Sequence, residues 1–227
     1  MTNIKTKSME EYVYKTLKDA ILQRLLAPGT QLVELTISEK LHTSRTPVRN
    51  AMKKLAADGI INIIPNKGAF VISPSLDDIL QAYEIRAELE CMAMRLCIDD
   101  INEIDIAELK AIIDEENEAT KMVDISKHLS SNKQFHMFFS RKYNNKFLIK
   151  YTEEIIDRIN IYLRMHDKLY NVELNEISRN MEHKEIIDLT SKKQADKLDP
   201  LLRRHIATSL NDLQLKQNNY KSLSEIF

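Results

Sequence analysis

Glycine is nearly absent from this 227-residue chain: there are three, Gly29, Gly59 and Gly68, and none after residue 68. Four of the five prolines, Pro28, Pro47, Pro65 and Pro74, share that early stretch, leaving only Pro200. Turn punctuation is therefore confined to a compact N-terminal part, and the remainder of the chain reads as long helices. Cysteine is equally scarce. Cys91 and Cys97 lie six apart in one helical pattern and point to different faces, which argues against a disulfide. No apolar run approaches the roughly 18–20 residues of a membrane span. Met1 to Glu11 lacks the apolar stretch of a signal peptide. Free thiols without an export signal point to the cytoplasm.

Also missing are the arrangements that carry common enzyme chemistry. There is no His-Glu-x-x-His, no Gly-rich phosphate loop and no Ser/His/Asp set. The expectation is a protein that binds rather than turns over.

What the chain has is an uneven charge. Its net −1 combines a basic head, with 11 Lys+Arg against 6 Asp+Glu over residues 1–74, and an acidic body, with 22 against 28. That asymmetry suits a nucleic-acid partner for the head alone. Composition changes at the same place, so two domains are expected, residues 1–74 and residues 75–227.

In the head, Tyr14, Leu17, Ile21 and Leu25 recur at helical spacing, predicting a first helix over residues 9–26. Thr36-Ile37-Ser38-Glu39 fits a capping box that opens a short second helix to about Leu41. After the turn His42-Thr43-Ser44, a third helix is expected from Pro47 to Asp58, with Thr46 at its N-cap and Pro47 at its first position. It would bury Val48, Met52 and Leu55. Two β-rich runs, 60–64 and 69–72, flank Pro65-Asn66-Lys67-Gly68 and read as a hairpin. The order helix, helix, turn, helix, hairpin is that of a winged helix-turn-helix.

Arg45 and Arg49, four apart, project from the same end of the third helix. Arginine grips guanine edges and phosphates bidentately, so these two are the candidates for base contact. Ser44, Thr46 and the wing residues Asn66, Lys67 and Gly68 are candidates for phosphate or minor groove. The implied partner is double-stranded DNA. The competing reading of the same arginines is a solvated surface.

Beyond Ser73-Pro74-Ser75, polar breaks near 99–103, 122–124, 143–145, 170–175 and 190–194 separate about six helical patterns. The fold class is thus mainly α, a winged head followed by an all-α bundle with antiparallel neighbours. Asn132 and His136 share a helix face, and His183 and His205 fall in the last two patterns. Three imidazoles and one side-chain oxygen make a set for zinc, nickel or manganese. Scattered histidines on a surface or hydrogen-bonded in a core are the alternative.

Residues 10–74 resemble the DNA-binding domain of the GntR family of bacterial transcription regulators. The likeness rests on Pro28-Gly29-x-x-Leu32-x-Glu34, Ser44-Arg45-Thr46-Pro47-Val48-Arg49-x-Ala51, Leu55 and Gly59-x-Ile61. Asn50 stands where a glutamate is common, and Ile37-Ser38 where Leu-Ala is usual. Residues 75–215 resemble the FCD effector domain of the FadR branch, through Tyr83-x-x-Arg86-x-x-x-Glu90, Phe135-His136, Asn144-Asn145 with Leu148, Glu182-His183-x-x-Ile186, Ala195-Asp196 and His205.

The resemblance implies a homodimeric regulator, most often a repressor, on a pseudo-palindromic operator. It implies a divalent metal, zinc first, held by His136, His183, His205 and the residue at 132. Asn132 there replaces an aspartate, which weakens the ligand and leaves the site one charge more positive. A small carboxylate or sugar-acid effector would complete the coordination, with Arg86 and Arg164 as clamp candidates. Two readings compete: an effector-free dimeric regulator with a degenerate metal site, and a metal-dependent enzyme with a DNA-binding appendage.

Overall fold

The computed structural model describes residues 2–166 and 172–211. The chain divides into two compact units. The first comprises Met1–Ser75 and takes in Met165; the second begins at Leu76.

The first unit contains α1 (Thr2–Leu22), β1 (Gln31–Leu32), α2 (Glu34–Lys40), α3 (Arg45–Ala57), β2 (Ile61–Ile64) and β3 (Gly68–Val71). Its core is aliphatic: Leu17, Ile21, Ile37, Val48, Leu55 and Ile60 are fully buried. The strands form an antiparallel sheet in the order β1-β3-β2, with Ile61 opposite Val71 and Ile64 opposite Gly68. Asn66 takes the left-handed turn position at φ 61°. Gly68 has φ +105°, a backbone conformation that favours glycine, and a Cβ there would lie 3.1 Å from the Gln31 side-chain amide, which would have to shift by a few tenths of an ångström.

Several local expectations need correcting. The first helix ends at Leu22 rather than residue 26, because Arg24 turns left-handed (φ 61°) and the Leu25 and Leu26 amides bond back to the Ala20 carbonyl. Thr36 does not cap α2. The helix begins at Glu34, directly after β1, with Val33 at the N-cap and no side-chain cap. Thr36 therefore sits inside the first turn, where Glu34 supplies the favourable negative charge. Thr46 is not the N-cap of α3 either. Ser44 holds that position in extended conformation without a side-chain bond, and Pro47 is the third helical residue. Proline is still tolerated there, because the first four amides of a helix have no partner within it. Strand β1 gives no sequence signal, since two residues carry no readable alternation.

The second unit contains α4 (Leu76–Cys97), a 3₁₀ turn (Ile98–Asp100), α5 (Glu103–Lys121), α6 (Ile125–Tyr143), α7 (Lys146–His166) as far as Ile159, its last turns belonging to the first unit, α8 (Val172–Ser191) and α9 (Ala195–Asn211). Asn102 caps α5 in a reciprocal box with Asp105. Five of these helices pack into a closed ring, α4 on α6, α6 on α5, α5 on α8, α8 on α9 and α9 back on α4. The fold is mainly α, a winged helix-turn-helix and a helical bundle, as the patterning implied. Among the described residues, no helix is long and apolar enough to cross a membrane.

Candidate functional site: a nucleic-acid interface and a metal centre

Helix α3 packs through Pro47, Val48, Ala51, Met52 and Leu55 and leaves Arg45, Arg49 and Lys53 exposed. Ser44, Thr46 and the wing residues Asn66, Lys67 and Gly68 are exposed as well. Arg49 is not loose. Its Nε donates to Glu34 Oε1 at 3.0 Å and its Nη2 to Glu34 Oε2 at 2.8 Å. The hydrogen bond from Arg49 holds the Glu34 carboxyl below its ordinary range, and the charges of Arg49, Arg45 and Lys53 pull the same way. At the other end of β1, Gln31 Nε2 donates to the Lys67 carbonyl at 3.0 Å. A groove of about 440 Å³ runs between these elements, lined by Val33, Glu34, Arg49, Lys53 and Ile63 among others.

In the second unit, every helix of the ring contributes to one buried cluster. His136 on α6, His183 on α8 and His205 on α9 are buried, and they present ligand nitrogens all within 4.8 Å of one another. Each imidazole turns its Nδ1 to a glutamate: His136 to Glu90 on α4 at 2.8 Å, His183 to Glu116 on α5 at 3.0 Å, and His205 to Glu182 on α8 at 2.9 Å. A carboxylate accepts, so each Nδ1 carries the hydrogen, and each Nε2 is the nitrogen that can offer a lone pair to an ion. Burial pushes His205 down to about 3, despite the hydrogen bond its Nδ1 donates to Glu182, so this ring is neutral at physiological pH. The same hydrogen bond lowers the Glu182 carboxyl. Burial raises Glu90, against the pull of the Arg86 guanidinium, whose Nε lies 2.6 Å from Glu90 Oε1.

The set suits a metal. Three imidazoles with carboxylates behind them are a common way to hold zinc and similar ions. His183 Nε2 and His205 Nε2 lie 3.0 Å apart. Two nitrogens bound to one ion at about 2.0–2.1 Å are separated by roughly 3 Å.

Asn132 lies one helical turn before His136 on α6 and is half-buried. Arg86 is buried, and its Nη2 has no hydrogen-bond partner among the described residues. The Arg164 side chain lies outside the described residues. Sequence reasoning missed Glu34, Gln31 and Glu116 as partners and named Glu182 only as the neighbour of His183 in a motif. Its carboxylate serves the neighbouring helix instead. The i,i+4 spacing of Arg86 and Glu90 was a usable signal; nothing in the sequence links Glu116 to a histidine 67 residues later.

Two family models cover most of the chain. Residues 9–71 match the bacterial regulatory proteins of the gntR family, and residues 81–208 match the FCD domain. The chain belongs to the GntR family of transcription regulators and carries an FCD domain. It is therefore a DNA-binding regulator of transcription and not an enzyme, and its FCD domain implies a small-molecule effector.

Among sequence relatives of this regulator is the HTH-type transcriptional repressor RspR of Escherichia coli K12. It is 24% identical over 224 residues, covering 97% of this chain and 96% of the relative. The Nta operon transcriptional regulator of Aminobacter aminovorans is 30% identical over 132 residues, 58% of this chain and 62% of that protein. Of solved structures, E. coli McbR/YncC superposes with a TM-score of 0.66 at 22% identity, covering 90% of this chain and 96% of the other. That likeness shows a shared fold.

Proposed function

We propose that this regulator is a homodimeric transcriptional repressor, acting in the cytoplasm, whose grip on DNA changes when a small carboxylate or sugar acid binds beside a metal ion in the helical unit. The observation that carries the reading is the glutamate-braced triad His136, His183 and His205. Two imidazole lone pairs facing each other at 3.0 Å are unfavourable unless a proton or a cation lies between them. Arg86 adds the second half of the argument. Its buried Nη2, with no partner among the described residues, sits on a guanidinium linked through Glu90 to His136, and a carboxylate effector would satisfy it.

The metal would be held by His136, His183 and His205, with Asn132 offering an amide oxygen; zinc is first choice, nickel and manganese next. When bound, the ion supplies a positive anchor for the effector's carboxylate. Glu90, Glu116 and Glu182 offset part of the charge that an aspartate at 132 would have supplied. In the first unit, Arg45 and Arg49 would read base edges, and Ser44, Thr46, Asn66, Lys67 and Gly68 would meet backbone or minor groove. A two-fold dimer would place two such heads on a pseudo-palindromic operator. RspR, a relative over nearly the whole chain, is named a repressor, which supports that sign of regulation.

The test uses full-length protein stripped by chelator and reloaded with Zn²⁺, Ni²⁺ or Mn²⁺. We expect one ion per chain by mass spectrometry, and an anisotropy midpoint on DNA from the protein's own upstream region that moves when the cognate acid is added. No retained metal and no acid that shifts the midpoint would overturn this reading. That result favours the second one, an effector-free dimeric regulator with a degenerate site, for which the neutral Asn132 speaks.

A further inference from the structure

We infer that Glu34 is a positioning residue for DNA recognition, clamping one edge of Arg49 so that the opposite edge is presented to a base in a single orientation. The inference rests on reading α3 as the base-contacting helix.

A guanidinium offers two forks of paired N–H groups, a side-on fork from Nε and one terminal nitrogen and an end-on fork from the two terminal nitrogens. Glu34 occupies the side-on fork with both oxygens, at 3.0 and 2.8 Å. The end-on fork, which matches the O6/N7 edge of guanine, meets no partner among the described residues, on a side chain that is 57% exposed. An exposed arginine otherwise spreads over many rotamers, all but one of which must be given up on binding. Glu34 removes most of that freedom beforehand.

The clamp is itself held. Glu34 opens α2 immediately after β1, and β1 pairs with β3 through Gln31–Phe70 and Leu32–Ala69. Gln31, on the same strand, donates to the Lys67 carbonyl in the wing. One short strand thus orients both the arginine of α3 and the wing. The arrangement has an electrostatic consequence, because a carboxylate near the DNA backbone opposes phosphate binding at every sequence alike. Glu34 therefore lowers sequence-independent affinity while sharpening discrimination.

The experiment enriches random-core DNA duplexes on full-length protein and compares the base preferences of wild type, Glu34→Gln, Arg49→Lys and the double variant. Glutamine keeps the shape but sets an amide N–H₂ against a guanidinium donor. We expect Glu34→Gln to reduce preference at one position per half-site by roughly tenfold, within what one bidentate contact supplies. Affinity for an unrelated duplex should rise a few-fold. Arg49→Lys should lose the same base position, and Glu34→Gln added to it should change that preference no further. Thermal midpoints should stay close to wild type, as Arg49 is exposed and Glu34 only half-buried.

If Glu34→Gln tightens binding to preferred and unrelated duplexes by one factor with base preference intact, Glu34 is only a counter-ion and the inference falls. Loss of binding together with a lowered thermal midpoint assigns it a merely structural role and also overturns the inference. Wild-type protein that enriches no sequence overturns the reading of α3 itself.

Discussion

His183 and His205 face each other through their Nε2 atoms at 3.0 Å, while Glu116 and Glu182 hold the far nitrogen of each ring. Neither ring can rotate without breaking a buried hydrogen bond to a carboxylate. The site is therefore arranged before any ion arrives. For the proposed metal, His183→Ala should abolish stoichiometric zinc and the rise in thermal midpoint that zinc produces. Glu116→Gln keeps all three imidazoles and should weaken zinc by about 10–100-fold, as loss of an outer hydrogen-bond partner does. Competition with a chromogenic chelator measures both. Full zinc affinity in Glu116→Gln would show that the carboxylate is not orienting the ring.

The proposed DNA contacts separate by salt dependence. Arg45→Ala should erase sequence preference while leaving weak general binding. Lys67→Ala should lower affinity on all sequences and reduce the slope of log K against log salt by about 1. Fluorescence anisotropy across roughly 50–200 mM salt distinguishes a base contact from a phosphate contact in this way.

A third prediction comes from the lack of glycine after residue 68. Helices α5, α6 and α8 end in left-handed residues that are Val123 (φ 56°), Asn144 (φ 58°) and Lys193 (φ 53°). At Val123 the Asp124 amide reaches the Ala119 carbonyl at 2.9 Å, the closing bond of a Schellman motif. A β-branched residue is poorly suited to this conformation, and the Val123 side chain is 74% exposed, so little packing is lost on removing it. Val123→Gly should stabilise the protein by about 0.5–1 kcal/mol, whereas Asn144→Gly should be close to neutral because asparagine tolerates the conformation. Urea midpoints of the two variants test the contrast. A destabilised Val123→Gly would contradict it.

Acid should weaken the start of α5. Asp105 is mostly buried; burial raises its carboxyl, but the hydrogen bonds from Lys142 and the Asn102 amide outweigh burial and leave it below its usual range. A carboxyl lowered in the folded state contributes stability fully above its unfolded value, about 3.9, and loses it as pH falls through the folded value. Asp105→Asn should cost about 1–2 kcal/mol at pH 7, through the capping box and the ion pair. The gap between variant and wild type should shrink in acid, as the carboxyl becomes protonated in the folded state too. Denaturant unfolding at neutral pH and in acid checks the sign; an equal gap at both would remove the charge from the explanation.

The winged head was legible because its signals are local. Pro28, Gly59, Pro65 and Gly68 punctuate it, and a residue's neighbours decide whether it can turn. The six long helices of the second unit were legible for the same reason, since apolar spacing and polar breaks act within a few residues. Helix starts were not. Thr36 and Thr46 looked like caps, but β1 pairs with β3 and carries the chain into α2 three residues earlier, while the turn after α2 starts α3 at Arg45.

By itself, the chain's order of residues determined two kinds of unit, the exposed basic start of α3, and three histidines on helices able to meet. Only the tertiary structure decided which groups hold them. Glu90 and His136 are 46 residues apart, Glu116 and His183 are 67 apart, and Glu34 meets Arg49 across a turn. Helical periodicity says which face a side chain occupies. Which face of which neighbour it meets depends on how whole helices close into a ring, and that is settled by burying apolar stripes from distant parts of the chain at once.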